Sequence, residues 1–261
     1  MKIIVFYTPG KKFINTVLKK IKESAEKNGF PLVEYKNEKH IESCDLAIAA
    51  GGDGTFLWTA SIVHPYSIPI LGINLGSLGF LTDIRKEEIE EAFRDLKIGN
   101  YSEQERMMLN ASYRDEEDFA LNDVVFSGRD ARMIKFSISI NEQYVTDLSG
   151  DGLIISTPTG STAYSLSSGG PILTPGTRGF VITPISPHTL SFRPLVVQEE
   201  SEISIQTKDN CHLIFDGQRI LELIPGEIIH VKKSDHPLKI VKIKGKNYFQ
   251  VLREKLNWGN R

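Results

Sequence analysis

Apolar and polar positions keep one rhythm through the first hundred residues and another afterwards. Lys2 to Tyr7 is a short apolar run broken by Thr8-Pro9-Gly10. Phe13, Ile14, Val17, Leu18, Ile21 and Ala25 then recur at helical spacing, and Asn28-Gly29 closes the pattern. Leu46 to Ala50 and Pro69 to Ile73 read as strands, with a helix opening at Thr55 between them. Ile89, Ala92, Phe93 and Leu96 mark a further helix, stopped by Gly99. Strands separated by helices predict a parallel sheet, whose ligands sit at the carboxyl ends of its strands.

Beyond Asn100 the period falls to two. Ile134, Phe136, Ile138 and Ile140 alternate with polar residues, as do Ile203 and Ile205, then Leu213 and Phe215, with turn signals between short segments. The expected organisation is an N-terminal α/β domain with a parallel sheet over residues 1–100 and a β-rich, sandwich-like C-terminal domain over residues 101–247. Periodicity fits Tyr248 to Leu256 equally to a strand or a helix.

A chain of 261 residues has room for two such cores. Hydrophobic residues at 40% and charged residues at 25% describe an ordinary globular composition, and a formal charge of -2 gives no reason to expect a nucleic-acid partner. The densest basic run, Lys239 to Lys246, alternates with apolar residues and reads as an exposed strand face. Cys44 and Cys211 stand far apart and offer neither zinc spacing nor a redox pair. No apolar run approaches a membrane span, so a soluble, cytoplasmic protein without a membrane partner is expected.

The densest chemistry is Gly51-Gly52-Asp53-Gly54-Thr55, set between an apolar strand and a helix start. Glycines let a phosphate approach backbone N–H groups, and a helix beginning there adds unpaired donors and a positive dipole end. Asp53 places a carboxylate in this anion-friendly loop, an arrangement that suits phosphoryl transfer. A plain Asp-Gly turn with Thr55 as a helix cap uses the same residues. Gly72, Gly76 and Gly79 punctuate a second loop ahead of Phe80, as a cleft floor or as turn formers. There is no Walker A or Rossmann pattern.

A second stretch runs from Gly150-Asp151-Gly152 through Thr157-Pro158-Thr159-Gly160-Ser161-Thr162-Ala163-Tyr164. Small hydroxyl residues can bond a base or sugar without crowding it, and Tyr164 offers a flat stacking face. A hydroxyl-rich turn with Tyr164 in the core reads the same way. Asn122-Asp123 falls within an apolar strand, Phe119 to Phe126, and suits paired ribose hydroxyls or a solvent-facing bulge. Asp216-Gly217 reads as a hairpin turn, and His188, lacking metal-ligand spacing, as a packed or capping histidine.

Taken together, these residues resemble the NAD kinase family. The resemblance runs in order through Gly51 to Thr55, Asn122-Asp123, Gly150 to Pro171, Pro187 to Leu195 and Asp216-Gly217-Gln218. The glycine element alone is shared with lipid kinases; the long Asp151 to Tyr164 stretch is far more specific. The resemblance implies phosphorylation of the adenosine-ribose 2′-hydroxyl of NAD, with ATP or inorganic polyphosphate as donor and Mg2+ or another divalent cation as cofactor.

It assigns Asp53 to activating the hydroxyl, and Gly51, Gly52, Gly54 and Thr55 to the donor phosphates. Gly54, Phe80, Asn122, Asp123, Asp151, Ser161, Thr162, Ala163 and Tyr164 are the implied NAD residues. Many members carry Glu where this chain has Asp123. A cleft between the domains, a C-terminal segment 248–261 returning to the first domain, and a homodimer or homotetramer are also implied. A lipid kinase and a non-catalytic nucleotide sensor are the rival readings, and the sequence carries no amphipathic membrane helix to favour the first.

Overall fold

The opening run can be apolar throughout because both of its faces are covered. Strand β1 (Ile3–Tyr7) turns Ile3 and Val5 toward helix α1 (Ile14–Asn28), while Phe6 meets Trp58 edge to face at 5.7 Å on the other side. The computed structural model describes residues 1–76, 79–82, 84–129, 133–189, 191–243 and 247–258. The chain separates into two compact units, Met1–Glu105 with Leu238–Arg261, and Arg106–Pro237.

In the first unit β1 and α1 are followed by β2 (Leu32–Glu34), β3 (Leu46–Gly51), α2 (Asp53–Val63), β4 (Ile70–Asn74), β5 (Ile84–Arg85), α3 (Ile89–Ile98) and β6 (Tyr101–Arg106). Helices α1 and α3 end where expected, each on a left-handed glycine: Gly29 at φ 74 and Gly99 at φ 71. Helix α2 begins at Asp53 rather than Thr55, because Gly52 is its N-cap and both Thr55 and Phe56 donate their N–H groups to the Gly52 carbonyl. Phe13 lies outside the buried face of α1, exposed at its N-cap with φ 67, with the ammonium groups of Lys12 and Lys86 near its ring.

Strands β2, β1, β3 and β4 lie side by side and parallel in that order. The order reverses direction between β1 and β3, the position where open α/β sheets receive ligands.

The second unit holds β7 (Leu109–Tyr113), β8 (Glu116–Ala120), β9 (Asp123–Gly128), β10 (Ile134–Ile140), β11 (Gln143–Gly150), β12 (Gly152–Ser156), α4 (Tyr164–Ser167), β13 (Gly179–Ile185), β14 (Leu195–Gln198), β15 (Ile203–Thr207), β16 (Cys211–Phe215), β17 (Arg219–Leu223) and β18 (Ile228–Lys233). They form two antiparallel sheets, ordered β11-β10-β15-β18-β7-β8 and β14-β13-β12-β9-β16-β17. Alternate residues of both sheets meet in one core, where Phe126 of one packs edge to face on Phe136 of the other at 5.8 Å.

The chain then returns to the first unit at Leu238, upstream of Tyr248. Strand β19 (Leu238–Ile243) lies between β4 and β6, running parallel to β4, and buries Val241 in the first core. The alternating basic run therefore belongs to this sheet, with Lys239 exposed and paired to Glu103; Lys244 to Lys246 lie outside the described residues. Tyr248–Leu256 is helix α5, capped by the Asn247 side chain, which accepts from the Gln250 N–H at 2.9 Å.

Candidate active site

At the carboxyl end of β3 the backbone must pass within reach of its own next turn. A side chain at Gly51 would collide with Thr55, which is fully packed beneath the loop. Gly52 carries no side-chain cap, and the N–H groups of Asp53 and Gly54, at the positive end of α2, have no hydrogen-bond partner among the described residues. Asp53 occupies the first turn and is half-buried.

Its carboxylate is held by the second glycine loop. The N–H of Phe80 donates to Oδ2 at 3.1 Å, and the N–H of Leu81 donates to Oδ1 at 3.2 Å. The Thr82 hydroxyl reaches Oδ1 at 3.4 Å and is itself approached by Asn74 Nδ2 at 2.9 Å. Gly72 and Gly79 are both required here, since a β-carbon at either would strike the neighbouring loop; Gly76 faces open space and is an ordinary turn residue. The two glycine loops thus form one site, with Phe80 beside it contributing its backbone.

The neighbouring β1 loop joins them. Thr8 Oγ1 lies 3.4 Å from Thr55 Oγ1, and Lys11 Nζ donates to Thr55 Oγ1 at 3.1 Å. Thr55 is therefore a bridge between adjacent loops, not a helix cap. Among the described residues Lys11 forms no ion pair with a carboxylate, and its ammonium lies beside the glycine loop on Thr55.

In the second unit Asn122 and Asp123 do not lie in mid-strand. Ala120 ends β8 and Asp123 begins β9, and the N–H groups between them leave the ladder to bond the Asp216 carboxylate: Leu121 at 2.8 Å, Asn122 at 2.7 Å and Asp123 at 3.1 Å. On the other side the Asn122 carbonyl accepts the Thr157 N–H at 2.9 Å, and Thr157 Oγ1 donates to the Leu121 carbonyl at 2.5 Å. Gly160 lies so near Asn122 that any side chain would strike its backbone. The structure thus brings Asn122, Asp123 and the hydroxyl loop together.

Asp123 is 5% exposed, and burial first, then the charge of Asp216, pushes its carboxyl up to about 7. Burial likewise raises Asp216 to about 6, with the three backbone N–H groups pulling the other way.

The hydroxyl loop divides into residues that build it and residues that face out. Ser161 is wholly buried: its Oγ donates to the Pro158 carbonyl at 2.7 Å and accepts the Leu173 N–H at 2.9 Å. Thr162 and Ala163 are half-buried, and Tyr164, 47% exposed, is free of the core. Asp151 stands apart from this group. Strand β12 pairs Ser156 with Asp123 but Gly152 with Ser127, so about 16 Å of strand separates Asp151 from the loop. His188 is exposed instead of packed, its backbone N–H bonded to the Ser149 carbonyl at 2.8 Å.

The N-terminal domain of the ATP-NAD kinases matches residues 5–101, and their C-terminal domain matches residues 121–243. The chain belongs to the NAD kinase family. It is 42% identical over 233 residues to the NAD kinase of Carboxydothermus hydrogenoformans, covering 86% of this chain and 83% of that one. It is 45% identical over 230 residues to the NAD kinase of Pseudomonas putida strain W619, covering 84% and 78%. A crystal structure of yeast NADH kinase complexed with NADH superposes with a TM-score of 0.89 at 26% identity, covering 100% of this chain and 89% of that one. The NAD kinase from Archaeoglobus fulgidus in complex with ATP gives a TM-score of 0.83 at 28% identity, covering 98% and 99%.

Within this NAD kinase family chain, three residues of the site escape the sequence reading. Lys11 and Thr8 follow β1 as turn residues, and only the β1–β3 adjacency turns them toward Thr55. Thr82 follows a glycine loop and becomes visible once Asp53 is seen to reach it.

Proposed function

We propose that this chain transfers the terminal phosphoryl group of ATP to the 2′-hydroxyl of the adenosine ribose of NAD, forming NADP and ADP. The observation that carries this reading is the Asp53 carboxylate, fixed at the N-terminus of α2 beside open N–H groups and the Lys11 ammonium. Gly51, Gly52, Gly54 and Thr55 shape the donor-phosphate loop, whose backbone dipoles and Lys11 offset the phosphate charge. Among the described residues Asp53 Oδ2 accepts one hydrogen bond, which leaves a lone pair for the acceptor hydroxyl.

In a loose transition state alignment matters more than early proton removal, so Asp53 orients the hydroxyl and takes its proton late. The hydroxyl oxygen forms the new P–O bond as the bond to the ADP oxygen breaks. In the second unit Asn122 and Asp123 bind ribose hydroxyls, Tyr164 stacks on a ring of NAD, and Thr162 and Ala163 line its pocket; in the first unit Gly54 and Phe80 bind NAD beside Asp53.

Among the described residues no group of three or more His, Cys, Asp and Glu forms a metal cage. A magnesium-like cation is ordinarily held by one or two carboxylates together with substrate phosphates, and Asp53 fits as such a single ligand. When bound, the cation would neutralise charge on the donor oxygens.

Two buried free cysteines, Cys44 and Cys211, suit a cytoplasmic setting. No helix among the described residues is long and apolar enough to cross a membrane. Exposed Leu195 and Val196 on edge strand β14 suit a homodimer or homotetramer.

The test is incubation of the purified protein with NAD, Mg2+ and either ATP or inorganic polyphosphate, with NADP as readout. NADP from ATP supports the proposal, and NADP from polyphosphate as well identifies a loop that does not read the donor nucleoside. Absence of NADP with both donors, from folded protein, overturns it.

A further inference from the structure

Asp216 sits in the turn between β16 and β17 with φ 51 and is followed by Gly217 at φ 64. An Asn-Gly pair makes such a turn equally well, so the turn alone does not call for a charge. The carboxylate instead leaves its own hairpin and collects the three consecutive N–H groups of Leu121, Asn122 and Asp123 at 2.8, 2.7 and 3.1 Å. In return the Asp216 N–H donates to the Asp123 carbonyl at 3.0 Å.

We infer that Asp216 is a positioning residue, which aims the Asn122 and Asp123 side chains at the ribose of NAD. The inference rests on the proposal that this pair binds ribose hydroxyls. Between β8 and β9 these peptides lose their ladder partners, and a buried unpaired N–H is costly. Two carboxylate oxygens satisfy all three at once and thereby fix three successive peptide planes. Those planes set where the side chains of residues 122 and 123 leave the backbone.

The opposite side is clamped by the Thr157 N–H on the Asn122 carbonyl and by the close approach of Gly160. Placing this carboxylate next to buried Asp123 is electrostatically unfavourable. A turn residue kept only for its shape would not carry that charge. Alanine would leave all three N–H groups unpaired; asparagine, with one acceptor oxygen, can hold two of them.

The experiment measures NAD and ATP KM values separately for D216A, D216N and N122A, with a melting curve for each. D216A should raise the NAD KM at least tenfold and leave the ATP KM within twofold, while D216N should fall between D216A and the parent. If D216A does not fold, the shape-conserving D216N decides. NAD KM values within twofold of the parent for the folded Asp216 variants, or an ATP KM that rises in parallel, overturn the positioning role. N122A separates the two levels: a silent N122A removes the ribose-binding proposal itself, whereas N122A active on NAD KM beside silent Asp216 variants removes only the role of Asp216.

Discussion

Gly79 and Asp53 lie so close that a β-carbon on Gly79 would collide with the Asp53 carboxylate and with Thr82. The second glycine loop is therefore the seat of the carboxylate, with the Phe80 and Leu81 N–H groups as its hydrogen-bond donors. Gly79→Ala should displace Asp53 while preserving its chemistry. A shift of about 1 Å costs about 10²-fold in rate, and removing the carboxylate function in Asp53→Asn should cost about 10²–10⁴-fold. Turnover of NAD at saturating ATP checks both. A Gly79→Ala enzyme with parental turnover would show that the seat is dispensable.

Lys11 brings its ammonium to the glycine loop, where Nζ donates to Thr55 Oγ1 at 3.1 Å. A hydrogen bond to a charged group contributes about 1.5–3 kcal/mol, so Lys11→Met should raise the ATP KM by about tenfold or more. Lys11→Arg keeps the charge and should recover most of that loss. The NAD KM should stay near the parental value in both variants. Titration of ATP at saturating NAD measures the effect, and an unchanged ATP KM in Lys11→Met removes the residue from the donor site.

What could be read from the chain alone divides along physical lines. Helices α1 and α3 are legible because apolar spacing and a left-handed glycine agree locally. The two-residue alternation of β10, β15 and β16 likewise announces a sandwich. Strands β2 and β6 carry no such signal: β2 is half-buried and β6 largely exposed, so their pairing comes from the sheet and not from local pattern. The glycine loop is legible as anion-friendly, yet Lys11 joins it only through the parallel pairing of β1 with β3. Asn122-Asp123 looks like mid-strand because the break is made by Asp216, a residue distant in sequence whose local signature is only a turn.

Tyr164 projects from the hydroxyl loop with 47% of its surface exposed, in contrast to Ser161 and Ser165, whose hydroxyls are spent inside the fold. Stacking of a base on an aromatic ring is worth about 1–3 kcal/mol by alanine substitution. Tyr164→Ala should therefore raise the NAD KM by about tenfold with a nearly unchanged melting temperature, since little of the ring is in the core. Tyr164→Phe keeps the ring and should behave as the parent. Kinetics of the pair decide: equal losses in both variants would point to the hydroxyl, and no loss in either would exclude Tyr164 from the NAD pocket.

Gly160 sets the distance between the hydroxyl loop and Asn122, and a methyl group there would strike the Asn122 carbonyl, which is backbone and cannot rotate away. Overpacking of this kind costs about 1–3 kcal/mol. Gly160→Ala should lower the melting temperature and raise the NAD KM together, while the ATP KM stays near the parental value. Thermal melts with and without NAD measure both effects, and a variant as stable as the parent would show that the contact is loose.

Asp123 gives the protein a stability signature in pH. Its carboxyl lies near 7 in the fold, raised by burial and then by the charge of Asp216, against about 3.9 in an unfolded chain. Between those values the folded state binds the proton more tightly, so folding takes up a proton and stability falls as pH rises. The contribution of the neutral carboxyl is fully present below about pH 4 and is lost as pH rises through about 7. Asp123→Asn is neutral at every pH and cannot lose it. The melting temperature of the parent should therefore drop relative to Asp123→Asn between pH 5 and pH 8, with the gap widest on the alkaline side. Carboxylates elsewhere, such as Glu199 and Glu227, are held below their ordinary range by cationic partners and act in the opposite direction, but they are common to both proteins and cancel in the difference. A difference between the two melting curves that does not change across this range would mean that Asp123 stays ionised throughout.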